Sequence, residues 1–238
     1  MSQQQPESLG ILNLERGLPR GTDPVDPRPG HLFYPGTFDF PIVSETVEGA
    51  WAENVIRGDP SLEAAYIAAA KRLVNRGAIA ISANCGFTIR HQKAIAEAVD
   101  VPVATSSLLL LPVLLRQLPP TGKVAIITAD SQCLGVDLLE IDDPADIERV
   151  VIGGVEGGRL WQNEMRRPPP RTTPADIESD VLECVRRILE KHSGISALLF
   201  ECTAFPTVSS SIRRATGFPV YDITSLCRLT YWSARSSD

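Results

Sequence analysis

The sequence predicts an α/β protein made of two similar lobes, each a parallel sheet flanked by helices, related by a pseudo-two-fold with a cleft between them. Three observations carry this expectation. Short apolar runs alternate with segments of helical periodicity along the 238 residues, a pattern that favours parallel sheets covered on both faces. The same order of segments occurs twice. A cysteine also ends an apolar strand at the matching place in each half. Val101, Pro102 and Val103 lie 16, 17 and 18 residues beyond Cys85, and Phe218, Pro219 and Val220 lie 16, 17 and 18 beyond Cys202. Ser107 and Thr224 share a further offset.

In the first half, Gly10 to Leu14 reads as a buried strand. The stretch from Gly17 to Pro41 is rich in proline and glycine and carries no regular pattern, so it is either a lid over the cleft or a static packed loop. Phe40 to Val47 supplies a second strand. Asp59-Pro60 opens a helix with proline at its first position. Leu62, Tyr66, Ala69 and Leu73 form its apolar stripe, and Gly77 stops it. Ala78 to Ser82 is a buried strand that delivers Asn84-Cys85-Gly86. A helix from about Thr88 to Val99, a strand from Val101 to Ala104 and a leucine-rich helix complete this half.

In the second half, Lys123 to Thr128 and Val150 to Gly153 are strands, and Gly154 to Arg171 reads as irregular. Thr173-Pro174 opens a helix striped by Ile177, Val181, Cys184 and Ile188. Ile195 to Phe200 is a buried strand delivering Glu201-Cys202-Thr203. A helix to about Ala215, a strand from Phe218 to Tyr221 and a terminal helix follow. The expected lobes are residues 1–118 and 119–238, with the segment from about 205 to 238 free to pack back on the first.

Composition narrows the function classes. The 23 basic and 29 acidic residues give a net charge of −6 and no dense basic run, which argues against nucleic acid or an anionic membrane as partner. Met1 to Gly10 lacks the basic start and apolar stretch of a signal peptide. The five cysteines are widely spread with no CxxC pair, against both a secreted disulfide framework and a zinc ribbon. A cytoplasmic chain with reduced thiols is expected. Gly153 to Gly158 lacks the order of a dinucleotide loop, and Thr121-Gly122-Lys123 lacks the glycine of a P-loop. His91 and Val208 stand where a cysteine phosphatase requires arginine.

Strand ends in α/β folds are where ligands bind, so facing lobes would bring Cys85 and Cys202 to one cleft. Two opposed thiols can move a proton on and off a carbon next to a carboxylate, one as thiolate base and the other as thiol acid. A free thiol titrates near pH 8.5 and needs local help to ionise, which a following helix N-terminus supplies. The backbone N–H groups of Gly86, Phe87, Thr203 and Ala204 are expected to hold the substrate carboxylate. The hydroxyls of Thr88 and Thr203 add hydrogen-bonding capacity, and Arg16 and Arg20 are candidates to clamp the carboxylate. Cys133, Cys184 and Cys227 read as apolar filler. His91 reads as a surface residue or a tuner of Cys85, and His31 and His192 as incidental.

Glu201-Cys202-Thr203-Ala204-Phe205-Pro206 resembles the second cysteine motif of the aspartate/glutamate/hydantoin racemase superfamily, in which a Cys-Thr pair is followed shortly by proline. Asn84-Cys85-Gly86-Phe87, Thr105-Ser106-Ser107-Leu108 and Pro35-Gly36-Thr37-Phe38-Asp39-Phe40-Pro41 resemble a less characterised branch. The resemblance runs from Gly10 to about Leu229. It implies catalytic Cys85 and Cys202, further substrate contacts at Asn13, Thr37 and Ser106, no cofactor, no metal and a homodimer or higher oligomer. The activity it implies is a cofactor-independent racemase or epimerase, an isomerase acting on aspartate, glutamate or a hydantoin-like carboxylate. A maleate-type isomerase, an arylmalonate-type decarboxylase and a non-catalytic binding protein are the alternatives. Gly86-Phe87 and Ala204 depart from the glutamate racemases, which have Asn-Thr and His there. Their Asp-Ser pair after the first strand is also missing, with Asn13 and Glu15 in that region. With Phe33, Tyr34, Phe38, Phe87 and Phe205 nearby, these departures point to a different or bulkier ligand.

Overall fold

A computed structural model describes residues 6–19, 26 and 28–236. Its first half holds strands β1 (Ser8–Asn13), β2 (Ile42–Thr46), β3 (Ala78–Ala83) and β4 (Val103–Ala104), with helices α1 (Ala52–Arg57), α2 (Glu63–Asn75), α3 (Gln92–Ala98) and α4 (Leu111–Gln117). The second holds β5 (Lys123–Thr128), β6 (Val150–Gly154), β7 (Ile195–Phe200) and β8 (Val220–Tyr221), with α5 (Pro144–Ile147), α6 (Arg159–Glu164), α7 (Pro174–Lys191), α8 (Ser209–Thr216) and α9 (Ile223–Ala234).

The strands form two parallel sheets of four, ordered β2-β1-β3-β4 and β6-β5-β7-β8. The predicted fold class is therefore observed, and the duplication extends to register. Ile81 pairs with Val103 and Leu198 with Val220, each four residues before its cysteine. A register shift falls at Ser8/Leu9 in one sheet and at Lys123/Val124 in the other.

Local chemistry sets the elements. Asp59 accepts from the Ser61 N–H ahead of a 3-10 turn at Pro60–Leu62, and α2 follows. Its stripe of Tyr66, Ala69 and Leu73 is buried, and Gly77 leaves the helix at a positive φ of 87°. Thr173 accepts from the Asp176 N–H at the start of α7, whose Ile177, Val181, Cys184 and Ile188 are buried. Gly153, inside β6, serves packing: a Cβ there would lie 2.8 Å from the Cys184 sulfur and 2.6 Å from Ile188.

The final helices of the two halves are exchanged. Leu111, Leu114 and Leu115 of α4 share a core with Val124, Ile126 and Leu199 of the second sheet. Ile223, Leu226 and Tyr231 of α9 share one with Leu9, Ile11 and Ala80 of the first. Among the described residues, no helix is long and apolar enough to cross a membrane.

Two expectations are corrected. Each cysteine is followed by a 3-10 turn, Gly86–His91 or Phe205–Val208, and the α-helix begins only after it. The segment read as irregular between Gly154 and Arg171 contains α6. The short α1 and α5 were not anticipated.

Candidate active site

The turns after β3 and β7 face each other. Thr203 Oγ1 donates a hydrogen bond to the Asn84 carbonyl, and Ser107 Oγ donates to the Phe200 carbonyl at 2.5 Å. Gly86 lies so close to the opposite turn that a Cβ there would come 2.2 Å from the Glu201 carbonyl oxygen and 2.3 Å from Glu201 Oε1. Glycine is required by this approach of the two turns.

Between the lobes lies a cleft of about 500 Å³ with Cys85 and Cys202 in its wall. Asn13, Arg16, Gly86, Phe87, Thr203 and Ala204 also line it. Three expected contacts do not, and each is occupied elsewhere. Thr88 is buried against the Tyr66 hydroxyl at 3.3 Å. Thr37 Oγ1 donates to the His31 carbonyl at 2.6 Å. Ser106 is fully buried and caps the 3-10 turn before α4 by accepting from the Leu108 N–H. Arg20 lies outside the described residues.

The thiols are less acidic than a helix N-terminus would make them. Burial, then the neighbouring Glu201 carboxylate, pushes both well above the usual thiol range. The Phe87 and Ala204 N–H groups oppose this by donating to the Cys85 and Cys202 sulfurs respectively.

Glu201, Trp161, Glu164, Asp26 and Arg28 stand in the wall without a role in the sequence reading. Glu201 is 1% exposed; its Oε2 accepts from the Thr128 hydroxyl at 2.8 Å, and its Oε1 has no partner. A charged residue closing the apolar run Ile195 to Phe200 was the signal that could have marked it, because a lone buried carboxyl is costly. Asn13 is also buried, with neither amide atom bonded. Trp161 and Glu164 come from α6, and Arg16 crosses the cleft to Glu164 at 2.7 Å. Asp26, Arg28 and His31 close one side, with Arg28 donating to the Thr172 carbonyl at 2.7 Å. Burial lowers His31, which stands in the cleft wall, to about 4. His91 is neither at the surface nor at the cleft; it is buried and stacked on Tyr66 at 4.7 Å. Among the described residues, no three His, Cys, Asp or Glu side chains gather as a metal-binding group.

Two parallel α/β lobes with a cysteine-lined cleft between them give the chain the fold of the aspartate/glutamate racemase superfamily. It aligns with unliganded arylmalonate decarboxylase over 98% of this chain and 94% of that one (TM-score 0.55, 16% identity). It aligns with glutamate racemase from Francisella tularensis over 97% and 81% (TM-score 0.57, 14% identity), and with Picrophilus torridus aspartate racemase over 96% and 94% (TM-score 0.57, 14% identity). At these identities the likeness defines the fold alone.

Sequence similarity points to a particular family. The chain is 31% identical over 225 residues to a dimethylsulfoniopropionate lyase of Durusdinium sp. clade D, covering 90% of this chain and 71% of that protein. It is 28% identical over 229 residues to dimethylsulfoniopropionate lyase 7 of Emiliania huxleyi, covering 92% and 65%. The chain belongs to the dimethylsulfoniopropionate lyase family, a family of enzymes. No family model matches the sequence. This membership overturns the expectation of a racemase or epimerase, and the isomerase class with it, because relatives that share most of the chain carry the name of a different reaction type. A two-cysteine pattern on this fold is shared by enzymes of different activity, because fold does not fix reaction.

Proposed function

We propose that this chain is a lyase that cleaves dimethylsulfoniopropionate by β-elimination, releasing dimethyl sulfide and acrylate. The observation that carries the reading is similarity to lyases of that name over nine-tenths of the chain. The cleft suits the chemistry. The substrate is a zwitterion whose α-hydrogen lies next to a carboxylate and whose β-carbon bears a sulfonium leaving group. A thiolate from Cys85 or Cys202 takes the α-hydrogen, the C–H pair becomes the new double bond, and the β-carbon–sulfur pair leaves on sulfur. Asn13, buried in the wall with a free amide, is assigned to the carboxylate, where a donor stabilises the enolate-like charge that develops. The indole of Trp161 and the ring of Phe33, also in the wall, are assigned to the sulfonium, which an aromatic face attracts.

Headspace chromatography of the purified protein with dimethylsulfoniopropionate tests this. Sulfide release with equimolar acrylate is expected; release no faster than the protein-free blank overturns the lyase reading. Cys85→Ser and Cys202→Ser are each expected to lose about 100-fold or more in kcat. Wild-type rates in both would remove the thiols from the mechanism.

A further inference from the structure

We propose that Glu201 is the proton partner of the paired cysteines, its free Oε1 taking the proton that a thiol gives up to become the base. The substrate in this proposal rests on the lyase reading; the placement of the carboxyl does not.

Three observations carry it. Glu201 Oε1 is buried in the cleft wall without a hydrogen-bond partner, whereas Oε2 is held by the Thr128 hydroxyl. The residue precedes Cys202 directly and reaches across to the turn that carries Cys85, where Gly86 leaves it room. A structural acceptor for Thr128 and the Ala129 N–H would be served as well by glutamine, without the cost of a carboxyl buried away from water.

The charges around it fit a shared proton. Burial raises the carboxyl to about 7, opposed by the Thr128 hydroxyl, the Ala129 N–H and the Arg90 guanidinium. From the facing elements, Cys85, Cys202 and the Arg16–Glu164 pair complete the set. Glu201 is the largest charge acting on each thiol, so ionising either sulfur is easiest when Glu201 is protonated. Moving the thiol proton to Oε1 achieves both at once and keeps the net charge of the cleft unchanged.

The turnover then balances. Thiol and carboxylate become thiolate and carboxylic acid. The thiolate takes the α-hydrogen, and the neutral zwitterion yields neutral dimethyl sulfide and the acrylate anion. The surplus proton leaves from Oε1 to solvent, which restores thiol and carboxylate for the next cycle.

The test is Glu201→Gln, which keeps the acceptor for Thr128. Iodoacetamide alkylation of Cys85 and Cys202, followed by peptide mass spectrometry across pH, needs no substrate. Removing the carboxylate is expected to lower the alkylation midpoint and make both thiols about tenfold more reactive at pH 8. In the sulfide-release assay kcat is expected to fall at least about tenfold and to lose its inflection near pH 7, with KM within about twofold. An unmoved alkylation midpoint, or an unmoved kcat–pH profile, overturns the proposal. If circular dichroism shows that Glu201→Gln does not fold, Thr128→Val replaces it. Loss of the hydroxyl donor is expected to move the kcat inflection upward and the alkylation midpoint downward, and an unmoved pair of profiles overturns the proposal. A wild-type protein that releases no sulfide, while the alkylation midpoint still moves, would sink the lyase reading and leave the proton partnership standing.

Discussion

Glu201 and His31 both lose solvent on folding, and their pH linkages run in opposite directions. Glu201 is raised from the usual 4.5 to about 7. The folded protein therefore binds this proton more tightly than the unfolded chain does. Its contribution is complete below about pH 4.5 and is lost as pH rises through about 7, with a swing of about 3 kcal/mol. His31 is lowered from 6.5 to about 4 by burial, so its contribution is complete above about 6.5 and is lost as pH falls through about 4. Urea unfolding of wild type and Glu201→Gln at pH 5 and pH 7.5 separates the two. The variant is expected to gain stability relative to wild type at the higher pH. An equal difference at both values would contradict the raised carboxyl.

Among the elements, the paired strand–turn units carry the site, and their tolerance to change is predictable. A Gly86→Ala protein must push its new methyl into the Glu201 carbonyl at 2.2 Å. It is expected to lose activity and at least about 1 kcal/mol of stability, read by sulfide release and thermal denaturation. Thr173→Ala removes the acceptor for the Asp176 N–H at the start of α7 and is expected to cost about 1 kcal/mol without altering the cleft. The strands were legible because buried parallel strands are short apolar runs, and α7 because its stripe from Ile177 to Ile188 repeats over about three turns. The turns after the cysteines were not. A 3-10 turn followed by a helix has the same apolar spacing as one longer helix, and only the backbone path separates them. Helix α6 was hidden for a related reason, since six residues between glycines and prolines carry too little period to stand out.

For the whole molecule, the exchange of α4 and α9 makes each lobe depend on the other. Leu111 and Leu114 share a core with Val124 and Leu199, and Leu226 and Tyr231 share one with Leu9 and Ile11. Arg16 to Glu164 and Ser107 to the Phe200 carbonyl add polar ties across the cleft. Unfolding is therefore expected as one calorimetric transition, with the van't Hoff enthalpy equal to the measured one. Two resolved transitions would show that the lobes are independent.

Read alone, the amino-acid order determined the α/β class, the duplication and the two strand ends where Cys85 and Cys202 stand. All of these are local patterns repeated at fixed spacing. Folding decided which residues reach the cleft. Asn13 stayed and its amide was left free, Thr37, Thr88 and Ser106 were spent on local hydrogen bonds, and Trp161, Glu164 and Glu201 arrived unannounced. The physical reason is that the wall assembles from turns far apart in the chain, and a side chain's protonation depends on what those turns bring beside it. Glu201 illustrates this: its place in the sequence says only that it ends a strand, while its charge is set by burial, by Thr128 and Ala129 at the end of the neighbouring strand and by Arg90 of the other lobe.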